Sequence, residues 1–558
     1  MIRALFTKES KTIAGAALII GVTTILSRVL GLIRDRLLVS HFTIGNSLDA
    51  YYASFQIPNL IFALLVLGTL SVAFIPVFTE YLTKGKREEA WHIANSILTV
   101  TAAGMGVVCL VLVAAAPWVV HWTAPGFTGE KLALTIKLTR IMMLSPFFFA
   151  VSAVFSSILN SCKQFLAVSL APLLYNGSII LGVLFLTKPF GIVGVAYGAI
   201  GGAILHILVQ LPGVISLGMR YRPSFDLRHR GVREIGKLFL PRVFGVDISQ
   251  IVQFIGTIVG TTLGVGAVSL FTLSINIEAV PVGVFAIPFA IAAFPSMTEA
   301  YAKADRREFV RVFATTFRQI VFFLAPLTAM TVLLRVHILR ALIGSRGLTA
   351  DDTRLAGASL ALFALSLAFQ GLTPLLSRSF YAIKNTYIPV IVSGIAVAAN
   401  VAATYALIPA LRQGIVAMAF RNLLTLSPTA DVRMLALPTA FSLASLLQVA
   451  LLFVILRRKF GPLGGRGIMK ALLKFLAGSV VAALVTWGYI RATGGASCGG
   501  TFVTTLIQAG AASILGLGVY AVTLRALKSE ELDSVIMAIK QRLLRFNRKT
   551  SAIDAERL

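Results

Sequence analysis

The sequence predicts an all-α polytopic membrane protein with about 14 transmembrane helices, on three observations. Of its 558 residues 57% are apolar and 13% charged, where a soluble domain carries about 25% charged residues. Apolar stretches of spanning length recur along almost the whole chain, and at about 20 residues per crossing plus short loops the length holds about fourteen. The basic residues, which leave a formal net charge of +28, gather in alternate loops, as expected of cytoplasmic loops that retain Lys and Arg. Together these exclude a soluble enzyme, and they give the surplus charge a topological meaning instead of a nucleic-acid one.

The stretches fall at approximately 12–33, 49–82, 91–122, 133–160, 166–187, 191–218, 237–263, 267–301, 309–343, 353–383, 387–409, 435–457, 468–492 and 501–525. The first follows a basic start, Met1 to Lys11, and outruns a signal-peptide core without a small-residue cleavage site, so it reads as a retained helix. Pro58-Asn59 and Gly68 bend the second, leaving backbone groups to be satisfied inside protein. Gly194, Gly198 and Gly202 in the sixth recur every fourth residue, the pattern of closely packed helices. The seventh carries Pro241-Arg242 and Asp247 near its cytoplasmic end, and the eighth carries Asn276 and Glu278 beside Pro281 and Pro288. With the N-terminus cytoplasmic, the loops on that side hold about 32 Lys and Arg against about 10 opposite, which places both termini inside. The basic tail from Arg525 through Lys549 reads as a solvated cytoplasmic segment or an amphipathic helix on the anionic leaflet.

The chain also repeats itself. Pro76 to Glu89 matches Pro295 to Glu308 at an offset of 219, the Lys163-Gln164 turn matches Lys384-Asn385 at 221, and Gly191-Ile-Val matches Gly414-Ile-Val at 223. Six spans separate the members of each pair, so spans 1–6 and 7–12 form parallel repeats, and spans 13 and 14 lie outside them. The expected domains are an N-lobe at 1–218, a C-lobe at 219–458, a final helix pair at 459–527 and a basic tail at 528–558. An insertion of about twenty residues after Ala419, containing Arg421, Pro428, Asp431 and Arg433, lengthens an outside loop of the second copy.

Ionisable residues inside a membrane are costly and mark cavities or partners. They concentrate in span 1, where Arg28 lies two-thirds along the apolar run and Arg34 and Asp35 lie near its outer end. Arginine forks suit bidentate phosphate recognition, and Asp35 or Asp49 can neutralise one of them; Arg36 reads as a span-end cap. Asp247, Glu278 and Asn400 are the ion-coupling candidates. Gly260, Gly264 and Gly266 lack the Lys-Ser/Thr of a phosphate loop, so no motif couples ATP hydrolysis. Cys109, Cys162 and Cys498, like the scattered histidines, have no metal-ligand spacing, so neither metal nor cofactor is expected. Asp351-Asp352 alone does not support a glycosyltransferase.

Ser27-Arg28-Val-Leu-Gly-Leu-Ile-Arg34-Asp35, Leu48-Asp49-Ala-Tyr-Tyr, Pro58-Asn59-Leu60, Ala73-Phe74-Ile-Pro76, Ala124-Pro-Gly-Phe127, Gln210-Leu-Pro212 and Phe380-Tyr-Ala-Ile-Lys384-Asn-Thr386 resemble the MurJ/MviN lipid II flippases, part of the multidrug/oligosaccharidyl-lipid/polysaccharide exporter superfamily. The resemblance spans about residues 20–400. It implies fourteen helices in two six-helix lobes and a final pair, and translocation of undecaprenyl-pyrophosphate-linked peptidoglycan precursor to the outer leaflet of the bacterial inner membrane. Alternating access would be driven by membrane potential or an ion gradient, with cell-wall synthesis proteins as prospective partners and no nucleic acid. It assigns Arg28, Arg34, Asp35 and Asp49 to the substrate cavity, and Asn59 is a further substrate-binding candidate. Phe62 and Ala63 stand where relatives often carry Arg-Arg, and Asn276 stands at a cavity arginine, so Arg140 in span 4 and Arg318 in span 9 are the candidates to replace the missing charge. A flippase for another polyprenyl-linked oligosaccharide and a non-transporting scaffold of envelope synthesis are the alternatives. A drug antiporter is disfavoured because the span-1 arginines repel cations.

The charge asymmetry makes one direct prediction. A reporter fused after Asp431 should report an outside location, and a cytoplasmic signal would overturn both the topology and the parallel repeat.

Overall fold

The computed structural model describes residues 13–65, 69–243, 248–343, 350–494 and 502–537. Among the described residues the regular structure is helical throughout, with no strand. Helices α1 (Ile13–Phe42), α2 (Asn46–Ser54), α3 (Gln56–Leu65) and α4 (Thr69–Thr83) cover the first two expected spans, and α5 (Arg87–Ala114) with α6 (Ala116–Thr123) the third. Next come α7 (Gly129–Met142), α8 (Leu144–Ser161), α9 (Phe165–Leu181), a π turn at Gly182–Leu186, α10 (Thr187–Phe190), α11 (Ile192–Leu208) and α12 (Leu211–Ser216). The second half runs α13 (Arg230–Val243), α14 (Ile248–Thr261), α15 (Ala267–Pro281), a π turn at Val282–Ala286, α16 (Ile287–Ala302) and α17 (Arg306–Ile343). It ends with α18 (Ala350–Ala364), α19 (Leu367–Ala382), α20 (Tyr387–Ala410), α21 (Ile415–Leu424), α22 (Ala436–Phe460), α23 (Gly465–Ala492) and α24 (Phe502–Ala526).

Eleven helical segments among the described residues are long and apolar enough to cross a membrane. The other three expected spans, the first, second and seventh, are helical over nearly all of their described residues, and each includes residues outside the described set. Helix α1 carries Arg28, Arg34, Asp35 and Arg36 within its C-terminal half. Within the second span α2 gives way to α3 at Phe55, and residues 66–68 of that span and 244–247 of the seventh lie outside the described residues. Gly68 and Asp247 lie outside the described residues, as does most of the basic tail.

The chain forms two compact units, one built chiefly from residues up to Leu273 and the other chiefly from Ser274 onward. In the first, Phe74 and Phe78 stack with centroids 5.0 Å apart inside a buried cluster that includes Ile93, Ile158 and Leu159. In the second, Phe309, Phe313, Phe380 and Phe475 are fully buried, and Phe309 stacks on Phe460 with centroids 4.4 Å apart.

The duplication is visible in backbone detail within each unit. Lys163 and Lys384 both adopt φ 58, followed by the same turn bond, Gln164 N–H to Leu159 O and Asn385 N–H to Phe380 O, both 2.9 Å. Arg87 Nη2 donates to Leu217 O at 2.9 Å, and Arg306 Nε donates to Phe460 O at the same distance. Each acceptor precedes a left-handed glycine, Gly218 at φ 94 and Gly461 at φ 67. The two acceptors are separated by more than the 219 residues that separate the arginines, and the excess is the expected insertion. There α21 stops at Leu424, Thr425 turns left-handed, and a 3-10 turn at Val432–Leu435 restarts the chain.

The glycine row of α11 is a packing surface against α9 and its π turn. A Cβ on Gly194 would lie 2.2 Å from Leu186 O, one on Gly198 3.0 Å from Gly182 Cα, and one on Gly202 2.9 Å from Tyr175 O. Ser178 Oγ donates to Gly198 O at 2.8 Å across the same seam. Close approach therefore supplies both dispersion and a hydrogen bond, the usual glue between helices in lipid.

Gly198→Ala should cost about 1–3 kcal/mol through overpacking and lower the melting temperature of the purified protein. Gly177→Ala, where a Cβ meets nothing within 4 Å, should leave it unchanged or raise it. Equal behaviour of the two variants would remove the packing role.

Candidate functional site

Helix α1 presents two different polar faces. Ser27 and Arg34 are seven residues apart, about two turns, and so share one side. That side meets α9: Arg34 Nη1 donates to Asn176 Oδ1 at 3.1 Å, while Asn176 Nδ2 donates to Ser27 Oγ at 3.3 Å. The remaining edge of the Arg34 guanidinium closes on its neighbour, with Nε and Nη2 donating to Asp35 Oδ1 at 2.9 and 2.8 Å. Asp35 is 5% exposed, so the pair is a largely desolvated ion pair fixed by a neutral amide. Arg28 lies about 100° round the helix from Ser27. It is exposed and makes no hydrogen bond or ion pair with any described residue. The structure thus separates two arginines that the sequence suggests as a pair: Arg34 is occupied, and Arg28 has its whole fork available.

Asp49 anchors a second arrangement and is wholly buried. Lys131 of α7 donates to its Oδ2 at 2.8 Å, and the Gly266 N–H reaches the same oxygen at 2.7 Å. Oδ1 accepts from Ser269 N–H at 2.9 Å and Ser269 Oγ at 2.6 Å. Helix α15 starts at Ala267, so a carboxylate more than 200 residues away in sequence satisfies N–H groups that every helix start leaves unpaired and faces the positive end of the helix dipole. Gly266 adopts φ 85, which turns its N–H inward. Lys131 also lies 4.0 Å from the Phe127 ring centroid. The Ala124–Phe127 motif is held against the end of α14, where a Cβ on Gly126 would lie 2.0 Å from Thr261 O.

The other sequence candidates are dispersed. Asn59 is exposed on α3, Asn276 is half-buried on α15, and Asn400 is buried on α20. Arg140 is exposed at the end of α7 and donates to Val113 O at 3.3 Å. Arg318 pairs with Glu530 and Glu531, at 3.3 and 3.2 Å, in the helical segment that follows α24. Phe62 packs on Phe149 at 4.8 Å between centroids, an aromatic contact at the position where the family resemblance leads to an expectation of arginine. Glu278 is 2% exposed; its Oε1 accepts from Gln370 Nε2 at 2.5 Å, which also donates to Ser366 Oγ at 2.6 Å. Its Oε2 is buried with no hydrogen-bond partner among the described residues. Sequence reasoning missed Lys131, Gln370 and the C-terminal glutamates, since each acts on a group far away along the chain. No group of His, Cys, Asp and Glu suited to a metal ion occurs among the described residues.

The sequence matches the family model described as Lipid II flippase MurJ over residues 38–507. The chain belongs to the MurJ family. The match extends past residue 400, where residue-by-residue resemblance ended, and begins after Arg28 and Arg34. The lipid II flippase MurJ of Burkholderia cenocepacia is 29% identical over 376 residues, covering 66% of this chain and 73% of that protein. The probable lipid II flippase MurJ of Vibrio cholerae is 28% identical over 403 residues, covering 70% and 77%. A solved MurJ lipid II flippase in an inward closed conformation superposes with a TM-score of 0.74 at 23% identity, covering 92% of this chain and all of that one. An inward-facing multidrug MATE transporter gives 0.63 at 18% identity, with 78% and 96% covered. These structures confirm the helical membrane-transporter fold, and membership of the MurJ family makes the chain a transporter and not an enzyme.

Asp49→Ala should destabilise the protein by about 3–5 kcal/mol, because it strands a buried lysine and uncaps α15. Lys131→Ala should cost less, since three donors to the carboxylate remain. Thermal unfolding of the two purified variants checks the order, and equal losses would mean that the helix cap contributes nothing.

Proposed function

We propose that this chain is a flippase that carries lipid II, the undecaprenyl-pyrophosphate-linked peptidoglycan precursor, from the inner to the outer leaflet of the bacterial inner membrane by alternating access. Both termini lie in the cytoplasm, and spans 1–6 and 7–12 act as the two lobes. The observation that carries the reading, beside family membership, is Arg28. An exposed arginine in the first membrane helix, without a protein partner among the described residues, is too costly to leave in lipid and has to face water or an anionic ligand. Its planar fork suits a pyrophosphate oxygen pair. In this reading Arg34 is a positioning residue that holds α1 on α9 through Asp35 and Asn176, and Asp49 is structural.

The energy source is the membrane potential or an ion gradient. Glu278 is the coupling group, because its buried Oε2 has no protein donor among the described residues and can take a proton or a small cation. A second reading, a flippase for another polyprenyl-linked oligosaccharide, draws support from the packed Phe62 and from Asn276, which lower the positive charge offered to a pyrophosphate.

In a strain depleted of its own lipid II flippase, the native chain should restore growth and the outward movement of lipid II. Arg28→Ala should abolish both at normal protein levels, and Arg28→Lys should restore them only partly, since a point charge lacks the bidentate geometry. Glu278→Gln should keep lipid II bound while slowing its translocation at least tenfold. Full growth with Arg28→Ala would overturn the docking assignment. Restored growth without lipid II movement, or movement of a different glycan alone, would favour the second reading.

A further inference from the structure

The second unit carries a cleft of about 530 Å³ at the shared end of α16, α19 and α22 and the start of α17. Its lining includes Arg306, Lys384, Lys459 and Tyr301, with Phe309 and Phe460 among its apolar residues. Those two phenylalanines are buried and stacked, a firm base beneath exposed cationic groups. Arg306 is held by its Nε on Phe460 O, which leaves its terminal nitrogens for another acceptor. Lys384 and Lys459 are exposed and have no carboxylate partner among the described residues. Asp305 also lines the cleft, but its Oδ1 accepts the Glu308 N–H at 2.9 Å, so it is engaged in capping α17 and the net charge of the lining stays positive.

The internal repeat distinguishes what the fold requires from what it does not. The arginine on a carbonyl and the left-handed lysine occur in both copies, as Arg87 with Lys163 and as Arg306 with Lys384. When the two acceptor carbonyls are aligned, Val214-Ile215-Ser216 of the first copy stands opposite Arg457-Arg458-Lys459 of the second. Three positive charges thus appear at the end of one helix whose counterpart performs the same structural task without them. Retention of a loop in the cytoplasm needs charge near a span end but not a concave site. Tyr381 and Tyr387, 41% and 79% exposed, flank the Lys384 turn as interfacial aromatics do at headgroup level, and Val390, Ile391 and Ile395 continue an exposed apolar face along α20.

We propose that this cleft binds the phosphate headgroup of an anionic phospholipid, its acyl chains lying along the exposed apolar surface beside it. Basic pockets between helices on the cytoplasmic side are suited to such headgroups, and the position at the helix ends favours a membrane lipid over a soluble phosphate. The site is independent of the span-1 arginines and of the transported substrate.

The test uses the full-length protein purified in detergent, with phosphatidylglycerol, phosphatidylcholine and inorganic phosphate as probes and bound lipid counted by native mass spectrometry. The native protein should retain phosphatidylglycerol in preference to phosphatidylcholine, and millimolar inorganic phosphate should not displace it. Lys384→Gln/Lys459→Gln should weaken phosphatidylglycerol binding about 25-fold, from roughly fivefold per basic residue at an anionic surface. Arg233→Gln/Lys237→Gln, an equal charge change on α13, should leave binding intact, and matching size-exclusion profiles establish that both variants are folded. Equal retention of the two lipids, equal loss in both variants, or displacement by inorganic phosphate would overturn the proposal.

Discussion

The buried carboxylate of Asp49 is the interaction on which the first unit most depends. A carboxylate with no exposure loses several kcal/mol of solvation, and only close charge and well-aligned donors make its burial tolerable. Here Lys131 supplies the charge, and Gly266 and Ser269 supply the donors. The same four contacts bind three pieces of chain that sequence keeps far apart: α2, α7 and the start of α15. The left-handed turn at Gly266 and the fit of Gly126 against Thr261 follow from the need to present those donors at that point.

Other polar groups in the hydrophobic helices sort by the same criterion. Arg34 is closed by Asp35 and Asn176, and the charge of Arg318 is balanced by ion pairs with Glu530 and Glu531. Arg28 and the second oxygen of Glu278 have no such partner among the described residues. In a low-dielectric setting an unsatisfied polar group is the exception that calls for a ligand. Function is therefore read here from incomplete pairing more than from the presence of charge.

The two repeats show how a duplicated bundle diverges while keeping its joints. Turns at Lys163 and Lys384 and the arginine-to-carbonyl contacts at Leu217 and Phe460 are retained in backbone geometry, because a left-handed turn and a helix end needing a donor tolerate few substitutes. Between those joints the copies differ freely, by an insertion after α21 and by the charges at the end of α22.

The sequence alone determined the helical membrane class, the positions of nearly all the helices, the duplication, the insertion and the family, because apolar run length, basic-loop alternation and fixed offsets are properties of the linear chain. It also marked Arg28, Arg34, Asp49 and Glu278 as residues that must be accounted for. Only the tertiary structure decided what accounts for each. It assigned Asp49 to a helix start more than 200 residues away, closed Arg34 with Asn176, paired Arg318 with the C-terminal glutamates, and left Arg28 exposed. The physical reason is that the cost of burying a charge is local to the residue, while its compensation comes from any group the fold brings within hydrogen-bond distance, and no sequence spacing encodes that partner.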